Sequence, residues 1–251
     1  MNQKTAIVAL GMSLVLLIVA VSGGMIIPLS DQGKDHSSAP EHSQVISGNF
    51  DIERVDFIHY AKPTGPTKPA PTTPTCYKLM GIKWRNLPVS YTINTIKYEG
   101  LSPEQLKSTL STSAETWDSA TKKELFSNSY TTGDVTFGIL DGKNAIVFGP
   151  YSESNVIAVT SVWYSSRTKE IVEFDMLFDD EWAWGDATDD QSLMDLQNIA
   201  THEFGHAAGL ADLYTESCDF VTMYGISGEG DVEKRTLEQP DITGLRAIYG
   251  I

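Results

Sequence analysis

The chain has 251 residues, 41% hydrophobic and 20% charged, a composition that supports a packed core and fits neither a disordered chain nor a multi-span membrane protein. Thirty-three acids against eighteen bases give a formal net charge of −15, which argues against binding polyanionic nucleic acid through a basic surface. Two cysteines, Cys76 and Cys218, are too few for a thiolate zinc cluster or a disulfide-rich mini-scaffold.

Lys4 is followed by an uncharged, mostly apolar run from Ala6 to Leu29, longer than the roughly 20 residues needed to cross a bilayer. Residues 1–29 are therefore expected to be a signal peptide, with Ala20-Val21-Ser22 as a small-residue cleavage site, or an uncleaved N-terminal membrane anchor. Lys4 on the inner side places the rest of the chain outside, so the protein is expected to be extracellular, secreted or anchored at the cell surface. Residues 30–75 read as a polar and Pro-rich tether or a pro-segment. Within them, residues 50–60 carry Ile52, Phe57, Ile58 and Tyr60, a short strand that could dock on the main domain. Five prolines, from Pro63 to Pro74, then make a stiff spacer.

Residues 76–251 read as one α+β domain. Residues 89–93 are a β-branched and aromatic strand. Ser102-Pro103-Glu104-Gln105 supplies an N-cap, a proline at the first helical position and a capping-box partner, opening a helix with Leu106, Leu110, Ala114 and Trp117 on one face. Residues 135–140, 145–148, 156–164 and 171–178 are predicted strands, giving one sheet of four or five. Ser192 with Asp195 predicts the cap of a second helix that ends at Gly209, and Pro240 opens a last helix carrying Ile242, Leu245 and Ile248.

The second helix contains His202-Glu203-Phe204-Gly205-His206. Histidines four apart share a helix face, so both imidazoles can reach one metal ion. Glu203, about a hundred degrees around the helix, suits a base that contacts the reacting water instead of the metal. Gly209 can turn the chain back so that Asp212 returns towards the two histidines. A catalytic zinc takes three protein ligands and keeps one position open. Only His202 and His206 lie beyond the spacer, since His36, His42 and His59 precede it. The third ligand must then be a carboxylate, a cysteine or a histidine from the arm, and Asp212 is the best placed.

Met223 comes next, in the turn Thr222-Met223-Tyr224-Gly225. With the long histidine motif, this turn resembles the metzincins, in which a methionine turn lies beneath the metal. Within that clan the chain is most similar to the matrixins, through Lys83-Trp84, Pro88-Val89-Ser90-Tyr91, the Trp117 helix, Glu173-Phe174-Asp175 and Asp241-Ile242-Thr243-Gly244-Leu245. The resemblance implies a twisted mixed sheet of about five strands, an active-site helix, a Met-turn and a C-terminal helix. It also implies a zinc endopeptidase acting on peptide or protein substrates, with His202, His206 and Asp212 as ligands and Glu203 as general base. Asp212 stands where matrixins usually carry a third histidine, as in snapalysin-type enzymes. This domain has no spare histidines for a structural zinc. By the same resemblance, residues 156–164 are the edge strand on which an extended peptide adds, and the wall after Met223 shapes a side-chain pocket.

Residues 170–220 contain fourteen acids and no lysine or arginine. They read either as a solvated surface or as calcium-braced loops of the matrixin kind, with Asp175, Asp179, Asp180, Asp186, Asp189 and Asp190 as candidate ligands. In an exported protein Cys76 and Cys218 are expected to pair. The rival is a cysteine switch on the zinc, although Cys76 lacks the matrixin switch sequence. The protein is expected to be a monomer, touching a membrane only through an uncleaved N-terminal segment. The competing function is a non-catalytic surface module stabilised by zinc and calcium, for which Glu203 would have no use.

Overall fold

The computed structural model describes residues 42–45, 51–62, 75–95 and 100–251. The predicted signal peptide or anchor, residues 1–29, lies outside them, and among the described residues no helix is long and apolar enough to cross a membrane. In chain order the elements are β1 (His42–Val45), β2 (Ile52–Ala61), β3 (Thr92–Ile93), α1 (Pro103–Asp118), β4 (Thr131–Thr132), β5 (Ala145–Gly149), β6 (Val156–Ser165), β7 (Ile171–Asp179), β8 (Trp184–Gly185), β9 (Met194–Asp195), α2 (Leu196–Ala207), β10 (Ile226–Ser227) and α3 (Gln239–Tyr249).

Helix α1 starts where its capping residues place it. The Ser102 hydroxyl accepts from the Gln105 N–H and the Gln105 side chain accepts from the Ser102 N–H, with Pro103 at a position whose missing N–H costs nothing. Its predicted stripe, Leu106, Leu110, Ala114 and Trp117, is buried. Each large side chain removed from water in this way contributes roughly 1.5–3 kcal/mol. Helix α2 begins three residues later than expected. Its cap is Asp195, whose carboxylate accepts from the Asn198 N–H at 2.8 Å. Ser192 instead donates its hydroxyl to Asp190 at 2.6 Å, and Met194–Asp195 is drawn into pairing with Trp184–Gly185.

Eight strands form one mixed sheet in the order β1-β2-β6-β7-β5-β3-β4, with β10 also against β2. The predicted strand at 135–140 is absent. There Gly138 has φ of +82°, its N–H is taken by Asp175 at 2.8 Å and its carbonyl by Arg54 at 3.3 Å, so side chains satisfy this backbone in place of a ladder. The strand at 89–93 shortens to Thr92–Ile93, Val89 making only a bridge to Phe126. The sheet exceeds the expected five strands because β1 and β2 join it from the stretch before the prolines, and the two-residue strands β4 and β10 join it as well. β2 pairs antiparallel with β6 along its whole length, and β10 runs parallel to the end of β2.

Helices α1 and α2 pack together, with the Trp117 indole donating to the Thr201 carbonyl at 2.7 Å. Between α2 and the sheet lies an aromatic cluster in which Phe204 meets Phe126, Tyr91 and Phe174 edge-on, at ring-centroid distances of 4.9, 5.5 and 6.3 Å. Cys76 and Cys218 form a disulfide. No cysteine among the described residues is free, so neither is available as a metal-blocking thiolate.

Candidate active site and metal centre

Each position of the second-helix motif is fixed by what surrounds α2. Phe204 faces the aromatic core, and Gly205 passes so close to Met223 and Trp117 that a Cβ there would lie 2.2 Å from the Met223 sulfur and 2.6 Å from Trp117 Cζ2. His202, Glu203 and His206 face Phe57 and His59 of β2, and Glu203 also meets Thr160 in the middle of β6. The helix ends at Ala207 and the chain turns at Gly209, with φ of +99° and room for no Cβ beside the Ile82 carbonyl. The carbonyls at and just beyond the end of α2 are satisfied by Trp84 Nε1 on Ala207 O at 2.8 Å, Tyr249 on Ala208 O at 3.1 Å and Met80 N on Gly209 O at 3.0 Å.

This turn carries Asp212 to the histidines. Asp212 Oδ1 lies 3.1 Å from His202 Nε2 and 3.3 Å from His206 Nε2, and the two Nε2 atoms are 3.1 Å apart. His202 Nδ1 donates to the Thr222 carbonyl at 2.7 Å and His206 Nδ1 to the Leu210 carbonyl at 2.9 Å. A carbonyl only accepts, so both Nδ1 atoms carry hydrogen and both Nε2 atoms present lone pairs. Three electron-rich atoms therefore converge in a buried place, and Asp212 Oδ1 accepts no well-directed hydrogen bond there. Such a triangle can hold a cation. Tetrahedral zinc with bonds of roughly 2.0–2.1 Å has ligand–ligand edges of about 3.3–3.4 Å, close to the three separations observed. The residues present fit a zinc ion.

The three side chains also act on one another's protonation. Burial alone would lower His206, but the Asp212 carboxylate raises it. Against its own burial, Asp212 is held well below the usual carboxylate range by His206 and His202. Burial pushes His202 down to about 4. Glu203 stands beside the triangle, and burial pushes its carboxyl up to about 7. Its Oε2 accepts from the Thr160 hydroxyl of β6 at 2.5 Å, and its Oε1 from His59 Nδ1 of β2 at 3.3 Å.

The residues around this centre form a supporting shell that sequence reasoning missed. Asp241, the first acid of α3, accepts from the Thr222 and Met223 N–H groups at 3.0 and 3.3 Å, so the start of α3 holds the methionine turn whose Thr222 carbonyl orients His202. Tyr214 donates to Asp212 Oδ2 at 3.2 Å. Lys234 is buried, and its ammonium group donates to the Ile226 carbonyl at 3.0 Å, the Ser227 hydroxyl at 2.7 Å and the Tyr224 carbonyl. Burial pushes it down to about 7. No periodicity or motif singles out Thr160, Tyr214 or Lys234. His59 was visible as a histidine of the arm, but nothing in the sequence tied it to Glu203.

The predicted edge strand, now β6, is not an open edge in the full chain, because β2 pairs along it. The six aspartates proposed for calcium are not brought together. Asp175 and Asp179 are buried and hold backbone N–H groups of Gly138, Ala145 and Glu181. Asp186 pairs with Arg235 at 2.6 Å, Asp190 holds Ser192, and Asp180 and Asp189 are exposed. Among the described residues, the only groups of three or more His, Cys, Asp or Glu near enough to share one ion are His202, His206 and Asp212, and His59, His202 and Glu203.

The matrixin family profile matches residues 83–250. Matrix metalloproteinase-25 of Mus musculus is 25% identical over 177 residues, which cover 69% of this chain and 28% of that protein. The hatching enzyme of Paracentrotus lividus is 26% identical over 190 residues, covering 71% and 30% respectively. The interstitial collagenase of Bos taurus is 42% identical over 72 residues, 29% of this chain and 13% of that protein. The matched stretches thus span less than a third of the length of these curated relatives.

Proposed function

The chain belongs to the matrixin family, and from that premise we propose that it is a zinc endopeptidase with His202, His206 and Asp212 as the metal ligands. The observation that carries the proposal is the convergence of three lone pairs within 3.3 Å of one another beside a buried carboxyl group. A bound zinc ion supplies a Lewis acid at which a peptide carbonyl is polarised and a water is made more acidic. The chain's own residues supply the rest. Glu203 takes the proton of the attacking water and passes it to the leaving amine. Thr160 fixes the orientation of that carboxyl through its Oε2. Tyr214 and the Thr222 and Leu210 carbonyls hold Asp212 and the imidazoles in place before any ion arrives.

Substrates are peptides or proteins, as the family implies. Export of the domain is supported by the Cys76–Cys218 disulfide, a bond that persists in oxidising compartments. The test is Glu203→Ala. The variant retains one zinc per chain and loses at least a hundredfold in the hydrolysis of casein or a quenched peptide. A variant that binds zinc and still turns over at the parent rate overturns the mechanism.

A further inference from the structure

Lys234 is 6% exposed, and every polar group it touches is neutral. Its ammonium group donates to the Tyr224 and Ile226 carbonyls and to the Ser227 hydroxyl, and it lies 3.5 Å from His59 Nε2. Burial lowers His59 well below its ordinary value, so that imidazole carries no charge. The acids whose charges act on Lys234, among them Asp212, Asp231, Glu203 and Asp241, lie beyond ion-pair distance. Buried lysines are as a rule paired with an anion, and this one has none in contact. Its place is rigid. The Lys234 N–H donates to Asn198 Oδ1 of α2 at 2.7 Å, and Arg235 is pinned to Asp195 at the start of the same helix. The helix that carries Glu203 therefore also fixes the lysine. His59 measures the gap between them, with Nδ1 on Glu203 Oε1 at 3.3 Å and Nε2 towards Lys234. One imidazole spans the distance from the base to the ammonium group.

We propose that Lys234 is a specificity-determining residue that selects an acidic side chain, glutamate above all, on a substrate residue beside the scissile bond. The proposal rests on the peptidase reading and names a substrate class within it. Glu203 acts at the scissile bond, so a side chain that takes the place of the His59 ring belongs to a residue flanking that bond. In glutamate a carboxylate oxygen is as many bonds from Cα as Nε2 is in histidine, so it reaches the ammonium group where the imidazole does now. Aspartate falls one bond short, and glutamine reaches but brings no charge. A bond between ammonium and carboxylate is roughly twice as strong as one between neutral partners, and Lys234 is already out of water before the substrate arrives. Leucine in the same place would leave the ammonium group against apolar carbon, an arrangement that polar sites reject strongly. The expected order is therefore glutamate, then glutamine and aspartate, then leucine, with lysine last. A lysine that only braced the segment from Tyr224 to Ser227 would act on all these substrates alike.

The experiment uses the full zinc-loaded chain, cut within residues 63–74 at an inserted site for a sequence-specific protease so that His59 can yield its place. Quenched peptides of one sequence carry glutamate, glutamine, aspartate, leucine or lysine at each of the two residues flanking the scissile bond, which mass spectrometry locates. At one of these positions kcat/KM with glutamate is expected to exceed that with glutamine at least tenfold, with leucine lower still. In Lys234→Met the order reverses and leucine overtakes glutamate, while Lys234→Arg keeps glutamate ahead. An equal fall for every peptide in Lys234→Met marks a brace and overturns the proposal. So does a parent enzyme that shows no preference for glutamate over glutamine, a result that stands even if Lys234→Met fails to fold. A parent that binds one zinc yet hydrolyses neither these peptides nor casein removes the peptidase reading, and this inference with it.

Discussion

Replacing Gly205 by alanine tests how tightly the metal helix is packed on the methionine turn. Helix propensity alone makes Gly205→Ala stabilising by about 1 kcal/mol. The surroundings oppose it, because the added methyl would lie 2.2 Å from the Met223 sulfur and 2.6 Å from Trp117 Cζ2, against a normal carbon contact of about 3.5–4.0 Å. One or both groups must retreat by more than 1 Å. Neither has room, since both are fully buried and Trp117 is held to the Thr201 carbonyl at 2.7 Å. Overpacking of this kind costs roughly 1–3 kcal/mol, and two fixed neighbours put this site at the upper end, so we expect a net loss of about 1–2 kcal/mol. Urea unfolding of the zinc-free protein measures that loss. Competition with a chromogenic chelator measures its effect on the ion, with affinity expected to fall at least tenfold as α2 shifts. Met223→Ala in the Gly205→Ala background should cost less than Met223→Ala alone, which a double-mutant cycle reads directly. An alanine variant more stable than the parent, with unchanged zinc affinity, refutes the packing argument.

Reduction of Cys76–Cys218 opens a link across a sequence separation of 142 residues, worth about 5 kcal/mol on the chain-entropy estimate. Urea midpoints with and without reductant should therefore separate widely, and a difference under about 1 kcal/mol would contradict the estimate. Asp118→Asn should stabilise the protein above pH 6. Burial pushes Asp118 up to about 6, although the Leu125 and Phe126 N–H groups lower it. The folded state thus holds its proton through the window from about 4 to 6 in which the unfolded chain releases it, and stability falls as pH rises across that window. The full shift would correspond to about 3 kcal/mol, and solvent screening at this half-buried site reduces the gain to about 1 kcal/mol. Melting temperatures of both proteins at pH 4 and pH 8 check it, with the advantage of asparagine confined to the higher pH. Equal differences at the two pH values count against the assignment.

The meeting of His202, His206 and Asp212 was legible because local geometry determines most of it. Residues four apart on a helix share a face, and the single turn at Gly209 returns Asp212, so His202, His206 and Asp212 meet as their spacing implies. The first helix was legible for the same reason, its cap and stripe lying within one short segment. What failed depends on distant partners. Residues 135–140 have strand-like side chains, yet Asp175 and Arg54, far away in sequence, take the polar groups of Gly138. Asp195, not Ser192, caps α2, and the reason lies in Arg235, which pairs with both of its carboxylate oxygens, and in the strand partner at 184–185. The acid-rich stretch suggested calcium, whereas several of its carboxylates serve as buried anchors for backbone N–H groups. The docking of β2 was half visible. Its apolar residues showed a strand, but only the folded sheet reveals that this strand brings His59 to Glu203.

His202, His206 and Asp212 are proposed to hold one zinc ion together. Metal analysis of purified, zinc-loaded and exhaustively dialysed protein, run in parallel on Asp212→Ala, tests it most directly. One zinc per parent chain is expected, with the variant losing its ion on dialysis while keeping its fold by circular dichroism. A parent without stoichiometric zinc, or an Asp212→Ala variant that holds zinc as tightly as the parent, would contradict it.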